Sequence, residues 1–480
     1  MKRTLLLRQF HRNACRGNSM LAVLGFIAVT SLLFGAVFTR SMNTYRQVSH
    51  IATWQESLRA AEAGSEVGMG ELRKTLIDPT AFSTWSTTAP DGTPLPNNGR
   101  RLVCPKLVHG GEGNTDLDAA VTVDAPPELV DGSGRQWFRV KSVGTTYLPG
   151  AARVTDDKRD HDLRHLSFRR NPKTQLAVSQ PQAARVVELI AKPTSFENAI
   201  VSDLPLLINN YKVVIDSYDS RDPAKSTDGL YDPAKALKNG DVATNSQLID
   251  AGNATINGDA YTNNGQITNG ANISGEQRDD FYMELTPIPK PTWTSYTPVS
   301  GSGNMTLTGG PKGNPTRYKM NNMSITGTEI LTFAPGSPTG ESYVEVWVTG
   351  DFKTAGSGSI VVQPRTNVEI FLEGNVDVKG NGSFNANSQP GRLQILCVQP
   401  PANQARTMNF GGNGVMVAAI YGPQYDVTFG ATGSAGTMWG SLTGRSITMG
   451  GTTYIHYDEA LADTGYITDY KVRSWFEDNK

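Results

Sequence analysis

Between Arg16 and Arg40 the chain carries no charge, and after this run no proline interrupts it until Pro79. No other feature restricts the fold as strongly. Asn18 to Phe38 would form about 31 Å of helix, close to the roughly 30 Å hydrocarbon core of a bilayer. Eleven of these residues are Leu, Ile, Val or Phe, and Leu21, Leu24, Ile27, Leu32 and Phe38 spread over the whole run. At roughly −0.3 to −0.6 kcal/mol each, such side chains favour insertion by a few kcal/mol in total. Lys2, Arg3, Arg8, Arg12 and Arg16 precede the run, whereas only Arg40 and Arg46 follow it closely. That bias keeps residues 1–17 in the cytoplasm as a basic leader and sends the remainder out. The expected product is a single-pass inner-membrane protein with an exported body. A cleaved secretory signal is the alternative. Such a signal has a shorter apolar core, about 7–15 residues, and a small-x-small cleavage site; the run here is longer and no clear site follows it.

The helical pattern continues past the membrane. Residues 40–77, RSMNTYRQVSHIATWQESLRAAEAGSEVGMGELRKTLI, contain no proline. Val48, Ile51, Trp54, Leu58, Ala61, Ser65, Met69, Leu72 and Leu76 recur at steps of three or four and trace one stripe on a helix. Asp78-Pro79 ends it. Gly64, Gly68 and Gly70 weaken the lower turns, by up to about 1 kcal/mol each. Residues 18–77 therefore read as one rod of about 90 Å. Its upper part is soluble in lipid, and its lower part needs a body or neighbouring helices against the stripe.

The basic leader, Arg16-Gly17, the apolar run and LRAAEAG (58–64) together resemble the N-terminus of PilX-type pilus assembly proteins, minor pseudopilin-like components of type IV pili. The resemblance covers residues 8 to 76. It implies prepilin-type processing between Gly17 and Asn18, and other pilin subunits and the inner membrane as partners. It also implies a body that is periplasmic, or extracellular within a pilus. Major pilins carry a glutamate at the fifth mature position; here that residue would be Ala22, and no carboxylate lies anywhere in the run. An unpaired charge there would be costly in lipid. Its absence points away from a major, polymer-forming pilin and towards a minor or tip subunit.

Beyond the helix, residues 78–195 read as a small antiparallel β-rich head. Strand-like runs include RLVCPKLV, AVTVDA, QWFRVKSVGTTYL, LRHLSFRR and ARVVELIAK. From 196 to 465 the texture changes to short apolar triplets separated by Gly and Asn, with 49 glycines in the chain. This pattern predicts a β-solenoid whose rungs stack and turn at residues of positive φ, with a β-sandwich as the alternative. The stretch from GVMVAAIYG (414–422) to HYDEAL (456–461) resembles a C-terminal module found on PilX-like proteins. By that resemblance the module is a right-handed parallel β-helix, with NGDVATNSQLIDAGNATINGDAY (239–261) as its opening rung. PIPKPTW (287–293) reads as an insertion crossing the surface. Residues 466–480 are expected to form a capping helix. The fold class is α+β.

Chemistry is sparsely encoded. Lys plus Arg number 44 against 45 acids, so no basic field exists to hold nucleic acid. HDLRH (161–165) is a near-miss of the HExxH zinc pattern, but its acid is one methylene short and it lies in a charged loop. His456, Asp458 and Glu459 are weak metal candidates; hydrogen bonds that seal the end of the solenoid are the alternative. Glu369, Glu373, Asp377 and Asp426 are scattered, unlike the clustered acids of β-helix carbohydrate-active enzymes. No cofactor motif is present, and the expectation is a structural, non-enzymatic subunit. Adhesion to a surface or glycan ligand through the solenoid is the further expectation, with a membrane-anchored envelope scaffold as its rival. Of three cysteines, Cys104 and Cys397 lie on the exported side and form the candidate disulfide.

Overall fold

The computed structural model describes residues 4–78, 80–104, 116–131, 134–147, 181–208, 212–385, 388–402, 404–430 and 435–478. Helix α1 spans Thr4–Lys74 without a break, about 105 Å at the usual rise. Arg73 and Lys74 occupy its last turn, where cations complement the unsatisfied carbonyls. Asp78 then folds back, accepting from the Thr80 N–H at 2.8 Å.

The lower part of α1 packs on a five-stranded antiparallel sheet made of β1 (Arg100–Cys104), β2 (Asp116–Asp124), β3 (Phe138–Tyr147), β4 (Pro181–Thr194) and β5 (Asp469–Asp478), in that spatial order. Alternate residues of β2 and β4, among them Ala119, Val121, Val123, Val187, Leu189 and Ala191, enclose Ala61, Met69 and Leu72 of the helix. The helix glycines that weaken α1 locally are what permit this approach. A Cβ on Gly64 would sit 2.3 Å from Ser142 Oγ, and one on Gly68 would sit 2.5 Å from Val140 Cγ1. Opposite them, a Cβ on Gly144 of β3 would lie 2.0 Å from the Ser57 carbonyl oxygen.

Strand β5 corrects the expected capping helix at 466–480. YKVRSWFED carries aromatic and β-branched residues that suit a sheet, and β4 offers a ladder of partners from Asp469↔Thr194 to Asp478↔Val186. Arg73 of α1 ties β5 down, its Nε 2.8 Å from Asp469 Oδ1.

The chain leaves the small sheet after Thr194 and re-enters it at Asp469; between these points lies a large, mostly parallel β domain. Among the described residues every strand ladder in it is parallel, which an antiparallel sandwich would not show. Three ladders of in-register apolar side chains run through it. One stacks Tyr318, Val346, Ile370, Ile395, Ile420, Leu442, Ile200, Val242 and Ala260. A second stacks Met323, Phe352, Val376, Met408, Val427, Ile447, Leu206, Ile249 and Ile267. The third stacks Met305, Leu331, Ile360, Phe384, Met416, Met438, Ile455, Ile215 and Ile256. All are buried except Tyr318, Ile267 and Met305, which stand at ladder ends. Each fully buried side chain of this kind contributes roughly 1.5–3 kcal/mol, so the ladders form the core.

The order of the ladders is not the order of the chain. Leu442 pairs with Ile200 and Ile455 with Ile215, so the layers formed by 297–458 stack onto those formed by 200–278. Residues 279–296 carry the chain back between the two ends. Ile288 of this return segment is buried and bridges Val398. At one corner the glycines of G-x-G triplets stack on each other; Gly380 has φ of 95°, and a Cβ there would lie 2.2 Å from the Gly356 carbonyl oxygen.

The cysteines belong to different cores. Cys104 lies on β1 against the helix-and-sheet core, whereas Cys397 is buried within the large domain. Both are unbridged, which corrects the expected disulfide.

Candidate functional site

The surface of α1 changes character along its length. Leu21, Leu32 and Phe38 are 72%, 75% and 59% exposed, and Leu24 and Ile27 are open as well. The two threonines of this stretch are satisfied within the helix: Thr30 and Thr39 donate their hydroxyls to the carbonyls of Phe26 and Gly35, each at 2.8 Å. Such back-bonding spares these two hydroxyls any need for water. The helix from Met20 is long and apolar enough to cross a membrane. The backbone at Gly17 and Asn18 is helical.

Val48 and Ile51 remain exposed below this span, and Trp54 marks the transition. The Arg185 guanidinium of β4 stacks 3.5 Å over the Trp54 ring and pairs with Glu477 of β5. Below Trp54 the stripe is covered: Leu58 and Leu76 are partly buried, and Ala61, Ser65, Met69 and Leu72 are buried.

His456, Asp458 and Glu459 lie side by side in sequence but do not converge. His456 Nδ1 is 2.5 Å from Asp216 Oδ1, and the Tyr231 ring stacks on the imidazole at 3.6 Å. Tyr231 also donates its hydroxyl to Asp216 Oδ2 at 2.8 Å. Asp458 Oδ1 accepts from the backbone N–H groups of Ser220 and Ala460 at 3.0 and 3.1 Å. Burial pushes its carboxyl up to about 6, against the lowering effect of those hydrogen bonds. Glu459 Oε1 accepts from Ser217 Oγ and Asn239 Nδ2. The three side chains stitch the last rung to the excursion at 216–240. Among the described residues no group of three or more His, Cys, Asp or Glu side chains is placed to hold a metal ion. HDLRH, with His161 and His165, lies outside the described residues.

Three of the scattered acids of the large domain, Glu373, Asp377 and Asp426, have a local cation. Asp377 pairs with Lys379 and Glu373 with Lys290. Arg445 Nε donates to Asp426 Oδ1 at 2.8 Å, which holds the Asp426 carboxyl below its usual range. An aromatic clasp that sequence reasoning missed secures the return segment. Trp293 meets Trp347 and Phe371 edge-on at 6.0 and 5.7 Å. Lys319 Nζ sits 3.9 Å over the Trp347 ring, and the Trp347 indole N–H donates to Glu373 Oε1 at 2.6 Å. The available signal was a tryptophan in PIPKPTW, a loop too short of apolar residues to need one for itself.

The molecule is thus an α+β protein: one long N-terminal helix with a span long and apolar enough to cross a membrane, followed by a small sheet and a large, mostly parallel β domain. A family model described as a domain of unknown function (DUF7305) matches residues 302–464. No curated protein matches the sequence. Among solved structures, an ice binding protein from an Antarctic Biological Consortium is similar at 10% identity, covering 55% of this chain and 91% of that one, with a TM-score of 0.29. The competence-associated pilin ComZ from Thermus thermophilus is similar at 12% identity, covering 89% and 98%, with a TM-score of 0.25. An ice-binding protein from Antarctomyces psychrotrophicus gives 11% identity, 55% and 95% coverage, and a TM-score of 0.21. Overlaps this loose do not establish a shared fold.

Proposed function

We propose that this chain is a structural, minor pilin-like subunit of a type IV pilus or related pseudopilus, of PilX type, acting in assembly or at the tip. The N-terminus stays in the cytoplasm, α1 crosses the inner membrane, and the body is periplasmic or extracellular. The large domain serves as a right-handed parallel β-helix that presents a broad surface, for adhesion or for contact with another subunit. It has no catalytic role.

The observation that carries this reading is a mismatch of lengths. The exposed apolar surface of α1 runs from Met20 to Trp54, about 52 Å of helix, whereas lipid covers roughly 30 Å. The excess around Val48 and Ile51 needs another cover, and neighbouring helices in a bundle supply one. The three in-register ladders support the β-helix assignment, because stacking each residue type on its like at every layer is how a parallel coil fills its core.

Mass spectrometry of the mature N-terminus, with a test for co-purification with pili, examines this reading. A chain starting at Asn18 and travelling with pili is expected. A chain starting at Met1 and absent from pili would replace the proposal with a membrane-anchored scaffold, and a start near residue 40 would replace it with ordinary secretion.

A further inference from the structure

A cleft of about 510 Å³ separates the small sheet from the large domain, lined among others by Arg135, Lys312, Glu345, Asn367, Glu369 and Gln394. Its acidic side is built by register. Glu345 and Glu369 are direct partners on the adjacent parallel strands Ser342–Val348 and Thr366–Leu372, whose backbones lie about 4.8 Å apart. Only Glu345 has a cation: Arg317 Nε donates to its Oε2 at 2.7 Å. Glu369 receives no donor from the described residues. Its neighbour on the next strand is Gln394, which is engaged elsewhere, donating to the Gly391 carbonyl and accepting from the Tyr466 N–H. Asn367 is likewise committed, to Glu341 and the Ser342 carbonyl. Burial, and the neighbouring Glu345, push the Glu369 carboxyl up to about 7.

The opposite side of the cleft has the complementary deficit. Arg135 Nη2 donates to Ser195 Oγ and the Gly465 carbonyl. Its Nη1 is buried and meets no acceptor among the described residues. One guanidinium nitrogen and one carboxylate, neither with a partner among the described residues, therefore belong to side chains that line the same cleft. Leaving either group unmatched is costly, because each was stripped of water without a replacement bond.

We propose that this cleft binds a small polar amine, its ammonium seated between Glu345 and Glu369 and an oxygen of the same molecule accepting from Arg135 Nη1. An ammonium offers three donors and no acceptor, which suits two stacked carboxylates. Bonds between ionised partners of this kind are stronger than neutral ones. Among the described residues the cleft lacks the three converging ligands a metal ion would require. The other charged or titratable groups near Glu369 are Arg317, Lys312, Tyr343, Asp463 and Tyr466. Asp463 is already held by Lys192 and Arg221. This site stands independently of the pilus reading.

The test is isothermal titration of the full-length chain in detergent with ethanolamine, at pH 8 and pH 6. Ethanolamine carries an ammonium of lysine-like basicity, so it stays charged across this range. Of the side chains lining the cleft, Glu369 is then the one that changes charge, and binding is expected to weaken by about fivefold to tenfold at pH 6 as its carboxyl takes up a proton. N-acetylethanolamine, which has no charge, is expected to give no binding. Glu369→Gln is expected to lose at least about tenfold in affinity at pH 8 and to flatten the pH dependence. Should that variant not fold, the wild-type pH profile and the neutral control still decide. No binding of ethanolamine at pH 8, equal binding of the acetylated compound, or a folded Glu369→Gln variant with unchanged affinity would each overturn the proposal.

Discussion

The two halves of α1 have the same backbone and nearly the same stripe of apolar residues, yet one is bare and the other is covered. Leu21, Leu32 and Ile51 are open, whereas Ala61 and Leu72 are sealed by the small sheet. What separates the halves is the size of the residues around the stripe. The lower half carries Gly64 and Gly68 opposite Gly144, and these remove the Cβ atoms that would hold helix and sheet apart. In the upper half, nothing lies within 4 Å of where a Cβ on Gly25 or Gly35 would sit. Helical periodicity shows that a face wants cover; glycine placement shows where the cover is this chain's own sheet.

The sharpest way to break that comparison is to add bulk to both halves. Gly144→Leu would drive a side chain into the backbone of Ser57 and Ala61, and overpacking of this severity costs about 3 kcal/mol or more. The small sheet is expected to unfold in thermal denaturation, while Gly25→Leu leaves the melting temperature unchanged. A charge inverts the pattern. Ile27→Arg is expected to cost about 2.5–3.5 kcal/mol of membrane insertion, read as a loss of the membrane fraction after cell fractionation, with the two β domains still folded.

Asp458 sharpens a second contrast, between buried acids and surface pairs such as Asp377–Lys379. Its carboxyl titrates near 6 in the folded chain, above the roughly 3.9 of an unfolded aspartate. The unfolded state therefore holds fewer protons between these values, and stability falls as pH rises from about 4 to 6. The shift corresponds to a loss of up to about 3 kcal/mol. Asp458→Asn keeps an oxygen for the Ser220 and Ala460 N–H groups and is expected to abolish this slope in denaturant titrations at pH 4 and pH 7. The smallest effect is expected at the return segment. Trp293→Ala removes two edge-on ring contacts, worth about 0.5–1.5 kcal/mol each beyond burial. It is expected to increase proteolysis between residues 279 and 296 while the ladders stay intact.

Much of this architecture could be read in the sequence, for identifiable reasons. The apolar run and the absence of proline up to Pro79 forced one long helix. The short apolar triplets with Gly and Asn between them encoded many short strands turning at tight corners. Their layer order was hidden, because Leu442 and Ile200 become neighbours only after 279–296 carries the chain back. The period also varies, from 17 residues between Met438 and Ile455 to 43 between Leu206 and Ile249, so no fixed repeat announced it. Strand β5 was read as a helix because its pairing partner β4 lies nearly three hundred residues upstream. The HYDEAL cluster was legible as a concentration of polar groups, but not the partners Asp216, Tyr231 and Ser220 that draw its members apart. Gly64 and Gly68 read as weak points of a helix until Ser142 and Val140 were seen against them.

All of this depends on α1 continuing from its exposed apolar span into the small sheet as one rigid rod. Spin labels at positions 40 and 59, measured by double electron–electron resonance with the full chain in lipid nanodiscs, test it most directly. A continuous helix predicts a single narrow distance near 29 Å. A broad distribution, or a distance below about 20 Å, would place a bend or coil there and contradict the account.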